Sequence, residues 1–121
     1  MCGRFSLSVG IEDVLNEFTF DINELVYKPR FNIAPTQKVL VYGATGLNAL
    51  ESMRWGLIPF WAKQKDRFNL FNARAETVHE NGIFRNLLNR RRCLVLADGF
   101  YEWKAEGSAK IPMRIGIKSW R

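Results

Sequence analysis

The chain has 121 residues, 47% of them hydrophobic and 25% charged, which bounds it at one soluble domain with a modest core. No run approaches the ~18 apolar residues of a membrane-spanning helix, and with Glu12, Asp13 and Glu17 residues 1–20 do not read as a signal peptide, so a cytoplasmic location is expected. The formal charge of +6 is uneven: residues 1–60 carry five Lys/Arg against six Asp/Glu, and residues 61–121 carry thirteen against six. Arginine outnumbers lysine eleven to seven, a bias suited to bidentate phosphate contacts and base stacking, with a solvated basic face as the plain alternative.

Met1-Cys2-Gly3-Arg4-Phe5 puts a small residue second, where the initiator methionine is normally clipped. Clipping leaves Cys2 with an α-amine and a thiol, groups that titrate near ~8 and ~8.5 in ordinary peptides. The characteristic partner of a 1,2-aminothiol is an aldehyde: the amine condenses to a Schiff base and the thiolate closes a thiazolidine ring. An incidental cysteine in a disordered start is the alternative. Cys93 could form a disulfide with Cys2, but a cytosolic setting favours two free thiols.

Ile11, Val14, Leu15 and Phe18 recur at helical spacing behind Ser8, a plausible cap, and predict a short amphipathic helix. Lys28-Pro29 leads into Arg30 to Thr36, where β-prone and turn residues mix. Lys38 to Tyr42 and Leu47 to Trp55 read as a hairpin turned at Gly43 to Gly46. Trp55 to Trp61, broken by Gly56 and Pro59, is irregular. Its aromatics beside Lys63, Lys65 and Arg67 are the combination a single-stranded nucleic-acid site uses; plugging the end of a β core is the alternative for one of the two tryptophans. Phe71 to Thr77 packs Asn72, Arg74 and Glu76 together, as a polar site or as a helix start with an exposed ion pair.

Ile83, Phe84, Leu87 and Leu88 make a second helical stripe, flanked by Arg85, Arg90, Arg91 and Arg92. Cys93 to Ala97 reads as a buried strand, with Cys93 as inert packing. Asp98 to Lys104 follows as the next strand. Alternation sets Phe100 and Glu102 on one face, Tyr101 and Trp103 on the other, so Glu102 is partly desolvated and suited to general-acid work, or else exposed. Glu106-Gly107-Ser108 turns the chain into a last strand over residues 112–118. Strands with two or three short helices and no βαβ spacing predict an α+β fold on a mostly antiparallel, curved, partly barrel-like sheet. No metal or cofactor pattern is present.

Met1 to Phe5, Arg30 to Thr36, Arg54 to Trp61, Asn72 to Thr77, and Ala97 to Lys104 with Pro112 after it, in this order, closely resemble the SOS response-associated peptidase (SRAP) family. The resemblance implies that Cys2 forms a thiazolidine crosslink with the aldehyde of an abasic site in single-stranded DNA, after autocatalytic removal of the leader residue. It makes Asn72 the holder of the N-terminal residue and Glu102 the acid/base. Arg4 and Arg74 would grip phosphates, and Pro35 and Trp61 would line the DNA channel. Arg67, Arg85 and Trp103 join that surface from the basic and aromatic pattern.

Family domains continue past this point to a His-x-Arg-Met-Pro-like motif whose histidine completes the site, so residues 1–121 correspond to the N-terminal portion of one such domain. An uncovered sheet edge is expected to promote self-association or to lower stability. His79 matches no motif and reads as surface. Two other functions compete: a non-catalytic single-stranded DNA-binding module, and a cysteine peptidase acting on other proteins, which lacks a histidine base for Cys2.

Overall fold

Cys2, Gly3 and Arg4 lead directly into a three-residue strand, β1 (Phe5–Leu7), and every residue of that strand is buried. The computed structural model describes residues 2–17, 26–43, 49–64 and 70–117. After β1 come α1 (Ile11–Glu17), β2 (Arg30–Ile33), β3 (Lys38–Tyr42), β4 (Leu50–Arg54), β5 (Leu94–Val95), β6 (Gly99–Glu106) and β7 (Ala109–Ile115). The strands form a four-stranded sheet in the order β2-β1-β6-β7 and a three-stranded sheet in the order β4-β3-β5, with every pairing antiparallel. The α+β, mostly antiparallel architecture is as expected.

The core lies between the sheets and α1. Phe5 and Leu7 of β1, Val14 of α1, Ile33 of β2, Val39, Leu40 and Val41 of β3 and Leu50 of β4 form one buried cluster. Full burial of a side chain such as Val14, 1% exposed, is worth about 1.5–3 kcal/mol. The β3–β4 hairpin pairs from Lys38↔Arg54 to Tyr42↔Leu50, and its turn lies outside the described residues. The β6–β7 hairpin closes through a two-residue loop between Glu106 and Ala109. Gly107 there has φ 59°, a left-handed conformation that suits glycine. Pro112 is tolerated in β7 because β7 is an edge strand.

A buried carboxylate ties β1 to β6 and β7. Asp98, its side chain 4% exposed, accepts from the hydroxyls of Ser6 and Ser8, both at 2.6 Å, and from the amides of Ser8 at 2.5 Å and Val9 at 3.2 Å. Arg114 on β7 adds a guanidinium contact at 3.1 Å. Gly99 makes room for it, since a Cβ there would lie 2.8 Å from the Arg114 guanidinium. Tyr27 clamps the exit of β1, its hydroxyl lying 3.0 Å from the Leu7 carbonyl and 2.7 Å from that of Val9.

Four expectations need correction. Ser8 does not cap α1, because its hydroxyl donates to Asp98; Gly10 occupies the cap position and the Asp13 carboxylate accepts from its amide at 3.2 Å. Phe18 lies outside the described residues. The stripe at 83–88 is a run of turns, leaving α1 as the single helix among the described residues. The carbonyls of Asn81, Phe84 and Leu87 each accept two amides, so no continuous i to i−4 ladder forms. Residues 93–97 are not buried: β5 is an edge strand, with Leu94 65% and Val95 47% exposed. Cys93 is exposed there rather than packed.

Burial alone would raise the Asp98 carboxyl, but the donors of Ser6, Ser8 and Arg114 outweigh it and hold the group below its ordinary value. Its stabilising contribution is therefore fully present above about pH 4 and is lost as pH falls through the depressed folded value. Asp98→Asn should cost about 3 kcal/mol near neutrality in urea denaturation, with a smaller penalty at pH 2. At the other end, burial first and Asp98 second push Tyr27 up to about 12. Stability contributed by its protonated hydroxyl is present below about pH 10 and drains away towards pH 12, a loss that Tyr27→Phe should lack.

Candidate functional site

Cys2 stands three residues ahead of β1, half-buried, and its thiol donates to the Arg4 carbonyl at 3.1 Å. That carbonyl also accepts the Tyr101 amide of β6 at 2.9 Å. The β1–β6 register, Phe5↔Phe100 and Ser6↔Gly99, carried two residues towards the N-terminus sets Glu102 against Gly3. Glu102 is half-buried on β6, paired with Met113 of β7. One strand pairing thus brings Cys2, Arg4 and Glu102 to the same end of the sheet.

Asn72 comes from a distant stretch. Its carboxamide Nδ2 donates to the Cys2 carbonyl at 3.1 Å. Leu57 pairs with Leu70, amide to carbonyl at 2.8 Å, and brings the 70–72 segment alongside. The Trp55 indole then fixes it, with Nε1 donating to the Phe71 carbonyl at 3.4 Å. The Trp55 ring lies 5.0 Å from Phe5 and 6.1 Å from Phe71, in edge-on packing with the latter. The backbone of Trp55 in turn holds the turn after Pro35, exchanging 2.8 Å bonds with Thr36 and Gln37. Of the two tryptophans, Trp55 is therefore the one that closes the core, while Trp61 is 56% exposed.

The arginines divide. Arg4 donates from Nη1 to the Asn32 carboxamide oxygen at 2.9 Å. Arg74 is exposed two residues beyond Asn72, and Arg85 is exposed on the 81–91 turns. Trp61 lines a cleft of ≈ 700 Å³ with Leu57, Ile83, Leu87 and Arg91, and Trp103 on β6 is 46% exposed. Arg67 lies outside the described residues. His79 is on the surface, 3.5 Å from Glu80. Cys93 is a poor rival to Cys2, since desolvation, and after it the Glu51 carboxylate, pushes its thiol up.

Asn32 and Tyr101 contribute geometry that the sequence does not assign. Asn32 and Tyr101 fall inside the family-like motifs, but Asn32 lies where β1 and β2 pair irregularly, and the Tyr101 hydroxyl finds its partner on β2, a strand not adjacent to its own.

The structure is an antiparallel α+β scaffold that holds the Asn72 carboxamide on the backbone of Cys2, three residues ahead of its first strand. The family model for SOS response associated peptidase (SRAP) matches residues 1–120, and the chain belongs to that family. It is 45% identical over 124 residues to the abasic site processing protein YoaM of Bacillus subtilis, covering 98% of this chain and 55% of that protein. With the abasic site processing protein YedK of Escherichia coli it shares 38% identity over 121 residues, covering 95% and 53%. A crystal structure of a protein from Bacteroides thetaiotaomicron superposes with a TM-score of 0.84 at 26% identity, covering 97% of this chain and 55% of that one. The chain spans about half the length of the curated relatives it matches.

Side-chain roles separate by stability. Asn72→Ala removes one partly exposed hydrogen bond and should lower unfolding free energy by about 1 kcal/mol. Trp55→Ala removes the ring that joins Phe5 to Phe71 and should cost about 3 kcal/mol. Urea denaturation of both variants checks the ordering, and equal losses would place Asn72 in the core scaffold.

Proposed function

We propose that residues 1–121 are the N-terminal portion of a single abasic-site processing domain, and that Cys2, freed of Met1 by autoproteolysis or by an aminopeptidase, is its nucleophile. The Cys2 amine adds to the ring-opened aldehyde of an abasic site in single-stranded DNA and loses water to give an imine. The thiol sulfur then adds to the imine carbon, its proton passes to the nitrogen, and a thiazolidine crosslink closes. Glu102 is the acid/base that protonates the departing hydroxyl, a lyase-type role. Asn72 holds the Cys2 backbone.

The observation that carries this reading is the 3.1 Å bond from Asn72 to the Cys2 carbonyl, made across 70 positions of sequence. A residue held in this way has its backbone fixed, while its thiol rests on the Arg4 carbonyl. Arg4 and Arg74 grip phosphates, Pro35 and Trp61 line the strand's path, and Arg67, Arg85 and Trp103 extend the basic and aromatic surface. The relatives named as abasic site processing proteins support the substrate. The exposure of Trp61 and Trp103 also suits a second reading, a single-stranded DNA-binding module without chemistry.

Incubation with an abasic single-stranded oligonucleotide, followed by a denaturing gel, tests both. A covalent band is expected in the wild type and in Cys93→Ser, and is lost in Cys2→Ala; non-covalent binding with no band selects the module. Undamaged strands should bind with log K falling by about 0.7 per phosphate neutralised for each unit of log[salt].

The same reading includes self-association, because all seven residues of the edge strand β7 are exposed. Sedimentation at rising concentration should show the weight-average mass climbing above 14.0 kDa.

A further inference from the structure

β1 and β2 pair out of register. Phe5 faces Ile33 and Leu7 faces Arg30, so two residues of β2, Phe31 and Asn32, oppose the single Ser6. This bulge explains why Phe31 and Asn32 are both exposed between a half-buried Arg30 and a buried Ile33, where a regular strand would alternate. It also aims the Asn32 carboxamide at Arg4, whose Nη1 donates to Oδ1 at 2.9 Å. The Tyr101 hydroxyl, donating to the Phe31 carbonyl at 2.8 Å, pins the bulge from β6.

We propose that Asn32 is a positioning residue, which holds the Arg4 guanidinium ready to receive a phosphate of the DNA backbone beside Cys2. The inference rests on the function proposed above and deepens it. A guanidinium has five N–H donors in a rigid fork and no acceptor, so one bond to Asn32 fixes its orientation without exhausting it. Arginine is rich in rotamers, and freezing it beforehand removes an ordering penalty from binding. The acceptor is a neutral amide, which orients the cation without cancelling its charge. A carboxylate at position 32 would hold Arg4 at least as firmly and neutralise it. Because the Arg4 carbonyl takes the Cys2 thiol, a phosphate on Arg4 is placed one short stretch of backbone from the nucleophile.

The test uses the full chain and an undamaged single-stranded oligonucleotide, followed by fluorescence anisotropy at several salt concentrations, with Asn32→Ala, Asn32→Asp and Arg4→Ala. Asn32→Ala should weaken binding about fivefold with an unchanged salt slope, since the Arg4 charge persists. Asn32→Asp should weaken it tenfold or more and lower the slope by about 0.7, the value of one phosphate. Asn32→Ala on an Arg4→Ala background should have no further effect. Equal behaviour of the alanine and aspartate variants, or a full additional loss on the Arg4→Ala background, overturns the proposal. With an abasic oligonucleotide, the Asn32→Ala defect should fall in the half-saturating DNA concentration for crosslinking rather than in the maximal rate. If the wild type binds undamaged strands in this pattern but never crosslinks, the crosslinking function fails while the role of Asn32 stands.

Discussion

The Asp98 carboxylate is the constraint on which the rest depends. It is almost wholly removed from water, and donors from Ser6, Ser8, Val9 and Arg114 converge on its two oxygens. A buried charge is tolerable only when it is so surrounded. Because the donors come from β1 and the residues that directly follow it, and from β7, satisfying one anion fixes two separate stretches against the start of β6.

A second chain of contacts runs from β1 to Cys2 and back. Phe5 packs on Trp55, Trp55 on Phe71, Asn72 follows Phe71 in sequence and bonds to Cys2, and Cys2 leads through Arg4 to Phe5 again. Each link is an ordinary contact. Closing them into a loop means that Cys2 is located by the aromatic core as well as by its own strand.

Much of the fold was legible from local chemistry. The β3–β4 hairpin announced itself by apolar runs around glycines, α1 by its spacing of Ile11, Val14 and Leu15, and the β6–β7 turn by Gly107. Signals failed where tertiary competition decided the outcome. Ser8 has the chemistry of a helix cap and is taken by Asp98 instead. Leu94 and Val95 have the composition of a buried strand, but composition cannot say whether anything covers an edge. At the site, the motifs containing Cys2, Asn72 and Glu102 stood out, whereas Asn32 did not, since a bulge leaves no trace in an alternating pattern until the partner strand is known.

The double acceptance at the Arg4 carbonyl separates two functions within a single residue. The main-chain oxygen anchors the Cys2 thiol and the Tyr101 amide, and any amino acid supplies that oxygen. The guanidinium reaches instead to the Asn32 carboxamide, in an exposed bond that the main-chain oxygen does not share. Replacement of the side chain at position 4 therefore leaves that oxygen in place, so the position of the Cys2 thiol is encoded in the path of the backbone and is sheltered from side-chain replacement.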